Sequence, residues 1–243
     1  LDFNIKKWYN IIMLKNKHKT ILKEGTDEVV FPFGPSIFKT HITDELNNYI
    51  LDESEKLDSK VADFRKGLAG NFINGTSLKF SQKTRKEIEP YLKDKVNTWF
   101  EMLLENNPTF NGINKMMNKM TEKEINSGEA ASYGNLRLET LWINFQGKND
   151  YNPPHTHSGD ISFVIYNNVP KEIFTKQAVT NTAHAGRILF NYGEDMPLSD
   201  KGWSVEPYNN LMFLFPAYLT HYVPPFYTDS TRISTSGNLT VIK

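Results

Sequence analysis

The sequence predicts an α+β protein, with helices in its first part and a double-stranded β-helix, or jelly-roll, core in its second part. The chain changes character near residue 130. Before that point apolar residues recur at helical spacing, and after it short β-rich runs alternate with clusters of Gly, Pro, Asn and Asp. Helices followed by many short strands are typical of helices packed on a sheet sandwich or barrel. Without an internal repeat or a low-complexity linker, we interpret residues 1–243 as one domain, with 1–130 mainly helical support and 131–243 the β core.

Three segments of the first part are predicted to be helical. Residues 42–57 begin with Thr43, a favourable N-cap, followed by two acidic residues in the first turn. Residues 86–104 place an apolar stripe on one face, and Pro90 is expected in the first turn of this helix, where proline is tolerated. Residues 116–125 form a third, short candidate.

Strands are predicted wherever compact β-rich runs lie between turn signals. The predicted strands are residues 136–145, 161–166, 187–190, 211–215 and 232–242.

Composition excludes several classes of protein and of site. The 28 basic residues balance 28 acidic ones, so zero net charge disfavours a nucleic-acid partner bound through bulk electrostatics. Without cysteine there is no disulfide scaffold, thiolate metal site or cysteine nucleophile, so any metal must be held by His, Asp or Glu. No apolar run is long enough to cross a bilayer, and the first residues lack a signal-peptide core. We therefore expect a cytoplasmic protein with no membrane partner.

A candidate metal-binding motif lies in the second part of the chain. His155 and His157 are two residues apart, so in an extended chain both point to the same face. Asp160 follows after a Ser-Gly pair that could turn the chain back. Imidazoles with a carboxylate suit Fe, Zn, Mn or Ni. The alternative is that these histidines are surface or hydrogen-bonded residues.

Two further elements carry chemistry near the end of the chain. His221 follows a buried strand that ends at Pro216, and is expected in a short loop. Arg232 and Ser234 are two residues apart at the head of the last strand, hence on one face. A guanidinium fork can bind a carboxylate through two hydrogen bonds, and a nearby hydroxyl can add another.

Taken in order, these motifs resemble the iron(II)- and 2-oxoglutarate-dependent oxygenases. The resemblance covers roughly residues 136–242 and consists of the HxH motif with Asp160, a following strand (SFVIY), then FPxxxxH and RxS. More narrowly, the sequence resembles a group of these oxygenases that is common in marine phage and bacterial genomes. That group in turn resembles the prolyl hydroxylases. A phage origin is therefore one of our expectations.

The resemblance implies a jelly roll with iron(II) at its open end, and 2-oxoglutarate and O₂ as cosubstrates. His221 matches the distal histidine ligand, Arg232 the anchor of the far 2-oxoglutarate carboxylate, and Ser234 its hydroxyl partner. Asn144 is a further candidate contact to the cosubstrate. The usual proximal motif is HxD, whereas His157 stands at its third position here.

This departure leaves two ligand sets open. In the first, His155, His157 and His221 bind the metal and Asp160 is a fourth ligand or supports a ligand. In the second, His157 and Asp160 form the pair that joins His221.

The resemblance implies a dioxygenase that hydroxylates an unidentified substrate, for which a prolyl or other peptide residue is one prediction. Two other interpretations stay open: a cupin-type metalloprotein that does not use 2-oxoglutarate, and a non-catalytic phage structural or interaction protein. The first of these has no need for an arginine at position 232. The sequence does not indicate an oligomeric state.

Overall fold

The computed structural model describes residues 27–32, 34–106, 136–175 and 184–241. Its helices are α1 (Asp44–Glu55), α2 (Gln82–Asn106) and the short α3 (Glu172–Thr175), with a 3₁₀ turn at Arg65–Gly67. Its strands are β1 (Glu28–Val30), β2 (Ile37–His41), β3 (Thr76–Lys79), β4 (Leu136–Gln146), β5 (Asn152–His155), β6 (Ile161–Asn168), β7 (Ile188–Asn191), β8 (Gly202–Val205), β9 (Leu211–Pro216), β10 (Thr220–Val223) and β11 (Arg232–Val241).

The strands form two antiparallel sheets. The larger has the order β1-β2-β9-β6-β11-β4-β3, and the smaller has the order β5-β10-β7-β8. Strands β4 to β11 divide evenly between them: β4, β6, β9 and β11 lie in the large sheet, and β5, β7, β8 and β10 lie in the small one. Eight antiparallel strands shared in this way by two facing sheets form a jelly roll.

Both described helices of the first part correspond to predicted segments. Helix α1 begins after Thr43, whose hydroxyl accepts a hydrogen bond from the Leu46 N–H at 3.2 Å, as an N-cap does. Helix α2 begins four residues earlier than predicted because Ser81 caps it, accepting from the Thr84 N–H at 3.1 Å. The expectation for Pro90 was therefore wrong, since this residue lies in the third turn. The third predicted helix, residues 116–125, lies outside the described residues.

Several strands were not predicted. Strands β1, β2 and β3 lie in the part of the chain expected to be mainly helical, and each extends the large sheet. Strand β5 contains Pro153 and Pro154, which a strand tolerates because β5 is at the edge of its sheet. Strand β10 contains His221, which was expected in a loop.

Two apolar clusters hold the layers together. One joins the buried stripe of α2 to the outer face of the large sheet; the stripe consists of Ile88, Leu92, Val96, Trp99, Phe100 and Leu103. The other lies between the two sheets and contains residues of both, among them Tyr166, Phe190, Phe213 and Phe215. No helix in the described ranges is both long and apolar enough to cross a membrane.

The register of β11 places polar side chains between the sheets. Arg232 pairs with Gln146 of β4, and Ser234 pairs with both Asn144 of β4 and Tyr166 of β6. Because side chains alternate along a strand, these residues share the inner face, while their neighbours face α2. This one register creates a polar wall inside an otherwise apolar sandwich.

A buried carboxylate secures the segment that covers one side of this wall. Asp150 is fully buried. Its Oδ1 accepts from the N–H groups of Ile73 and Asn74 at 2.7 and 2.9 Å, and its Oδ2 accepts from the Gly147 N–H at 2.8 Å. Three charge-assisted hydrogen bonds thus connect the β4–β5 turn to the segment that precedes β3.

We expect Asp150→Asn to destabilise the protein by about 3 kcal/mol, because an amide cannot accept all three hydrogen bonds. Chemical denaturation followed by far-UV circular dichroism measures this change. Asp229→Asn is the matched control: Asp229 pairs with Lys148 on the surface, and its loss should cost less than about 0.5 kcal/mol. Equal stability of the two variants would contradict the role of Asp150.

Candidate active site

A cavity of about 280 Å³ lies between the two sheets. It is at the small end of the range for ligand sites, about 300–1,000 Å³. The 3₁₀-turn segment closes one side with Phe64, Gly67, Leu68 and Ala69. Three histidines and one arginine lie in its lining, which contains no Asp or Glu among the described residues.

The small sheet brings the three histidines together. His155 ends β5 and pairs directly with His221 of β10. His157 follows in a loop that is held by its own N–H, which donates to the Ala217 carbonyl at 2.9 Å. The ring centroids lie 4.4 to 5.0 Å apart, and one nitrogen from each ring lies within 4.8 Å of the other two.

Backbone contacts determine which nitrogen of two of the rings carries the proton. Nδ1 of His155 lies 2.7 Å from the Pro153 carbonyl, and Nδ1 of His221 lies 2.9 Å from the Leu219 carbonyl. A carbonyl only accepts, so each Nδ1 carries the proton and each Nε2 presents a lone pair. Nε2 of His221 lies 3.2 Å from Nε2 of His157. The nitrogens thus converge as the ligands of a single cation would.

Burial keeps these imidazoles neutral. Desolvation lowers the pKa of His155. It also lowers the pKa of His157 to about 4 and that of His221 to about 3, and for these two the neighbouring rings make a smaller contribution in the same direction. Neutral imidazole is the form that binds a metal, and Nδ1 donors to carbonyls are the usual support of such ligands. The donor set fits a divalent transition metal such as iron.

Arg232 lies in the same cavity, on the large sheet. It is 2% exposed, and its Nη1 donates to the Gly186 carbonyl at 2.8 Å. Nη2 donates to Oε1 of Gln146, and the guanidinium lies 5.7 Å from the centre of the Tyr166 ring. Nε has no hydrogen-bond partner, and no carboxylate among the described residues forms an ion pair with Arg232. A buried cation without a counter-ion is costly, and an anionic ligand would remove that cost.

Two polar residues accompany this arginine. Ser234 is buried beside it on the same face of β11, and Asn144 lies opposite Ser234 on β4. Oδ1 of Asn144 is buried without a hydrogen-bond partner. Arginine, hydroxyl and amide together offer the donors that a carboxylate needs.

Comparison with known proteins agrees with this chemistry. Residues 140–238 match a family described as "Putative 2OG-Fe(II) oxygenase". This stretch contains the three histidines and Arg232. A comparison with curated proteins finds no match.

Solved structures similar to this chain include two hydroxylases and a nickel complex. A prolyl-4-hydroxylase from Pseudomonas putida is 11% identical, with a TM-score of 0.47 over 85% of this chain and 93% of the other. HygX from Streptomyces hygroscopicus, with nickel and 2-oxoglutarate bound, is 10% identical, with a TM-score of 0.48 over 85% of each chain. The viral collagen prolyl hydroxylase from Paramecium Bursaria Chlorella virus-1 is 12% identical, with a TM-score of 0.44 over 85% of this chain and 96% of the other.

The fourth predicted ligand, Asp160, lies apart from the three histidines. Its Oδ2 accepts from the Val241 N–H at 2.9 Å, and it belongs neither to the histidine cluster nor to the cavity lining. Gly159, with φ of +93°, makes the turn that separates it from His157.

Sequence reasoning missed one residue near Arg232. Gln146 was not predicted, although it lies two residues beyond Asn144 on the same strand face and holds Arg232. Trp142 packs on His157, with ring centroids 5.7 Å apart. Tyr218 is 63% exposed and outside the lining, and His184 lies outside it as well, with its Nδ1 3.0 Å from Oγ of Ser204.

The pKa values predict that the metal-free protein loses stability as pH falls from about 6.5 towards 4. In this range the unfolded chain binds protons at histidines of ordinary pKa near 6.5, while folded His157 and His221 stay neutral. Thermal denaturation in the presence of a chelator measures the effect as a fall in Tm.

His157→Gln should reduce the decrease in Tm between pH 6.5 and pH 4. His184→Gln, at an exposed position, should leave that decrease unchanged. A Tm that is the same at pH 7 and pH 5 would contradict the neutral state of the cluster.

Proposed function

We propose that the protein is an iron(II)- and 2-oxoglutarate-dependent dioxygenase whose metal is held by His155, His157 and His221. Arg232, with Ser234 and Asn144, receives the far carboxylate of 2-oxoglutarate. The observation that carries this proposal is the presence in one cavity of a converging imidazole triad and a buried arginine that pairs with no carboxylate of the described residues. The family match gives the same activity independently.

The bound iron would supply the oxygen activation and redox chemistry of the reaction. The protein itself positions the groups that take part. Gln146 and the Gly186 carbonyl hold the Arg232 guanidinium at one end of the cavity, so that a carboxylate bound there has a defined orientation. The carbonyls of Pro153 and Leu219 hold two of the imidazoles by their Nδ1 protons.

Apolar side chains limit access of water to the histidines. Phe215 packs edge-on against His221, with ring centroids 4.8 Å apart, and Trp142 covers His157. Exclusion of water strengthens the electrostatic contacts inside the site and protects reactive species from side reactions.

Arg232 also argues against a cupin-type protein that does not use 2-oxoglutarate. Such a site has no need for a buried cation next to the histidines. A prolyl or other peptide residue as the hydroxylated group stays a prediction from the sequence resemblance.

Addition of 2-oxoglutarate to the iron(II)-loaded protein without oxygen should produce a weak visible charge-transfer band. This band reports contact between the cosubstrate and the iron. Absorption spectroscopy in an anaerobic cuvette measures it, and its absence from protein shown to contain iron would contradict the proposal.

Arg232→Ala should weaken binding of 2-oxoglutarate about 10- to 100-fold, because hydrogen bonds to a charged group are lost. Binding of Ni(II) alone should persist. Isothermal titration calorimetry measures both affinities, and Arg137→Ala on the exposed face of β4 is the control.

Because Arg232 is buried, Arg232→Lys provides a second variant that retains the charge and loses the fork. Its affinity for 2-oxoglutarate should be intermediate. Wild-type affinity in a folded Arg232→Ala protein would show that the anchor lies elsewhere.

A further inference from the structure

The cavity continues past the histidines into a region for which the proposed function gives no role. Its lining there includes Thr140 of β4 and Ser236 and Asn238 of β11, and we call this region the neutral end. We propose that the neutral end binds the substrate by an uncharged carbonyl group, which accepts a hydrogen bond from the Thr140 hydroxyl. This inference rests on the proposed function, because it names the class of substrate for the same site.

The neutral end lies on the far side of the histidines from Arg232. In the pairing of β11 with β4, Ser236 lies opposite Trp142, and Trp142 packs on His157. His157 is therefore beside the middle of β11, between Arg232 at its start and Asn238 near its end. These two ends are about 20 Å apart at the usual rise of a strand. A cosubstrate that reaches from Arg232 to the histidines thus leaves the neutral end open.

A directed chain of hydrogen bonds ends at the Thr140 hydroxyl. Oγ of Ser162 donates to Oδ1 of Asn238 at 2.8 Å, and Nδ2 of Asn238 donates to Oγ1 of Thr140 at 3.2 Å. The amide sets these directions, because its oxygen only accepts and its nitrogen only donates. Thr140 therefore keeps its own proton for another acceptor, and no described residue provides one.

This direction selects the kind of group that fits. A hydroxyl that already accepts a hydrogen bond is polarised and becomes a stronger donor. Both Oδ1 of Asn238 and Oγ1 of Thr140 already accept within the chain. A carbonyl oxygen, which needs only a donor, suits this end better than a hydroxyl group, which brings a proton of its own.

Burial and the absence of charge restrict the substrate further. Ser162 is 1% exposed and Asn238 is 6% exposed, whereas Thr140 is partly buried and lines the cavity. Among the described residues of the lining, the one permanently charged side chain is Arg232, at the opposite end. A charged substrate group at the neutral end would lose its hydration without gaining a counter-ion, which is costly. The group bound there is therefore uncharged.

Aromatic side chains line the path from the neutral end to the histidines. Phe64, which precedes the 3₁₀ turn, packs on Trp142 with ring centroids 5.6 Å apart, and both residues line the cavity. Their rings offer an apolar surface to aliphatic carbon. A carbonyl held by Thr140 would thus place its neighbouring C–H groups along these rings, towards the histidines.

Small ring compounds of similar shape test the assignment. Cyclopentanone only accepts hydrogen bonds, methylenecyclopentane is its hydrocarbon analogue, and cyclopentanol both donates and accepts. Cyclopentylammonium and cyclopentanecarboxylate are the charged members. Saturation-transfer NMR measures their binding to protein loaded with Zn(II) and 2-oxoglutarate, since Zn(II) neither supports turnover nor broadens the signals.

We expect the ketone to bind about 5- to 10-fold more tightly than the hydrocarbon, because it gains one hydrogen bond in a buried site. It should bind at least roughly 10-fold more tightly than either ion, because neither ion finds a counter-ion at this end.

Two variants test whether Thr140 is the donor. Thr140→Val removes the hydroxyl and keeps the shape, so the preference for the ketone over the hydrocarbon should disappear. Asn238→Asp should have the same effect by another route, because a carboxylate only accepts and would take the Thr140 proton. Thr98→Val, in α2 and outside the lining, is the matched control and should keep the preference.

The outcomes separate this inference from the proposed function. Calorimetry first measures binding of Zn(II) and 2-oxoglutarate, and failure of either to bind would contradict the proposed function. If both bind, the inference alone is overturned when the ketone does not bind, when it binds no better than the hydrocarbon, or when its advantage persists in a folded Thr140→Val protein. Tightest binding of cyclopentanol would indicate a hydroxyl-bearing substrate, and tightest binding of an ion a charged one. Either result would also overturn it.

Discussion

The structure depends most on the register of β11 between β4 and β6. Side chains alternate along a strand, so this register determines which side chains of β11 face the second sheet and which face α2. A shift of one residue would replace Arg232 and Ser234 in the cavity by their apolar and polar neighbours. Gly237 accommodates the close approach of the strands here, since a Cβ at this position would lie 2.7 Å from the Phe163 ring. Strand β11, which carries Arg232 and Ser234, is therefore constrained by both of its neighbours in the large sheet.

The two ends of the site come from different sheets. The small sheet carries the histidines, and the large sheet carries Arg232, so the distance between the histidines and Arg232 is set by the packing of one sheet on the other. Aromatic rings make that packing: Phe190 lies edge-on to Phe215, with centroids 5.1 Å apart, and Phe215 in turn contacts His221. Dense packing of this kind resists deformation, so the geometry of the site follows from the apolar cluster beside it.

Features that depend on neighbours in sequence could be predicted, and those that depend on distant partners could not. The shared face of His155 and His157 follows from strand periodicity, and the Thr43 cap is confirmed by its contact with Leu46. Strand β5 was missed because its two prolines lower β propensity, and only the position of β5 at a sheet edge makes them acceptable. The carboxylate of Asp160 could not be assigned, because its partner Val241 lies 81 residues away.

Buried polar groups of the described residues are fully paired in some places and unpaired in others. Asp150 has every requirement met by the backbone, and Asn167 exchanges hydrogen bonds with Asn47 and Thr235 across the large sheet. Inside the cavity, by contrast, Nε of Arg232 and Oδ1 of Asn144 have no hydrogen-bond partner among the described residues. Each such group costs on the order of 1–3 kcal/mol when buried unpaired. A missing partner alone does not identify a ligand site, because several buried polar atoms outside the cavity, such as Oγ of Ser77 and Nε1 of Trp99, lack one as well. Arg232 differs from these groups because it is a fully charged side chain, 2% exposed, that forms no ion pair with a carboxylate of the described residues. An anionic ligand would remove the cost of burying that charge, which is why the proposed function places a carboxylate there.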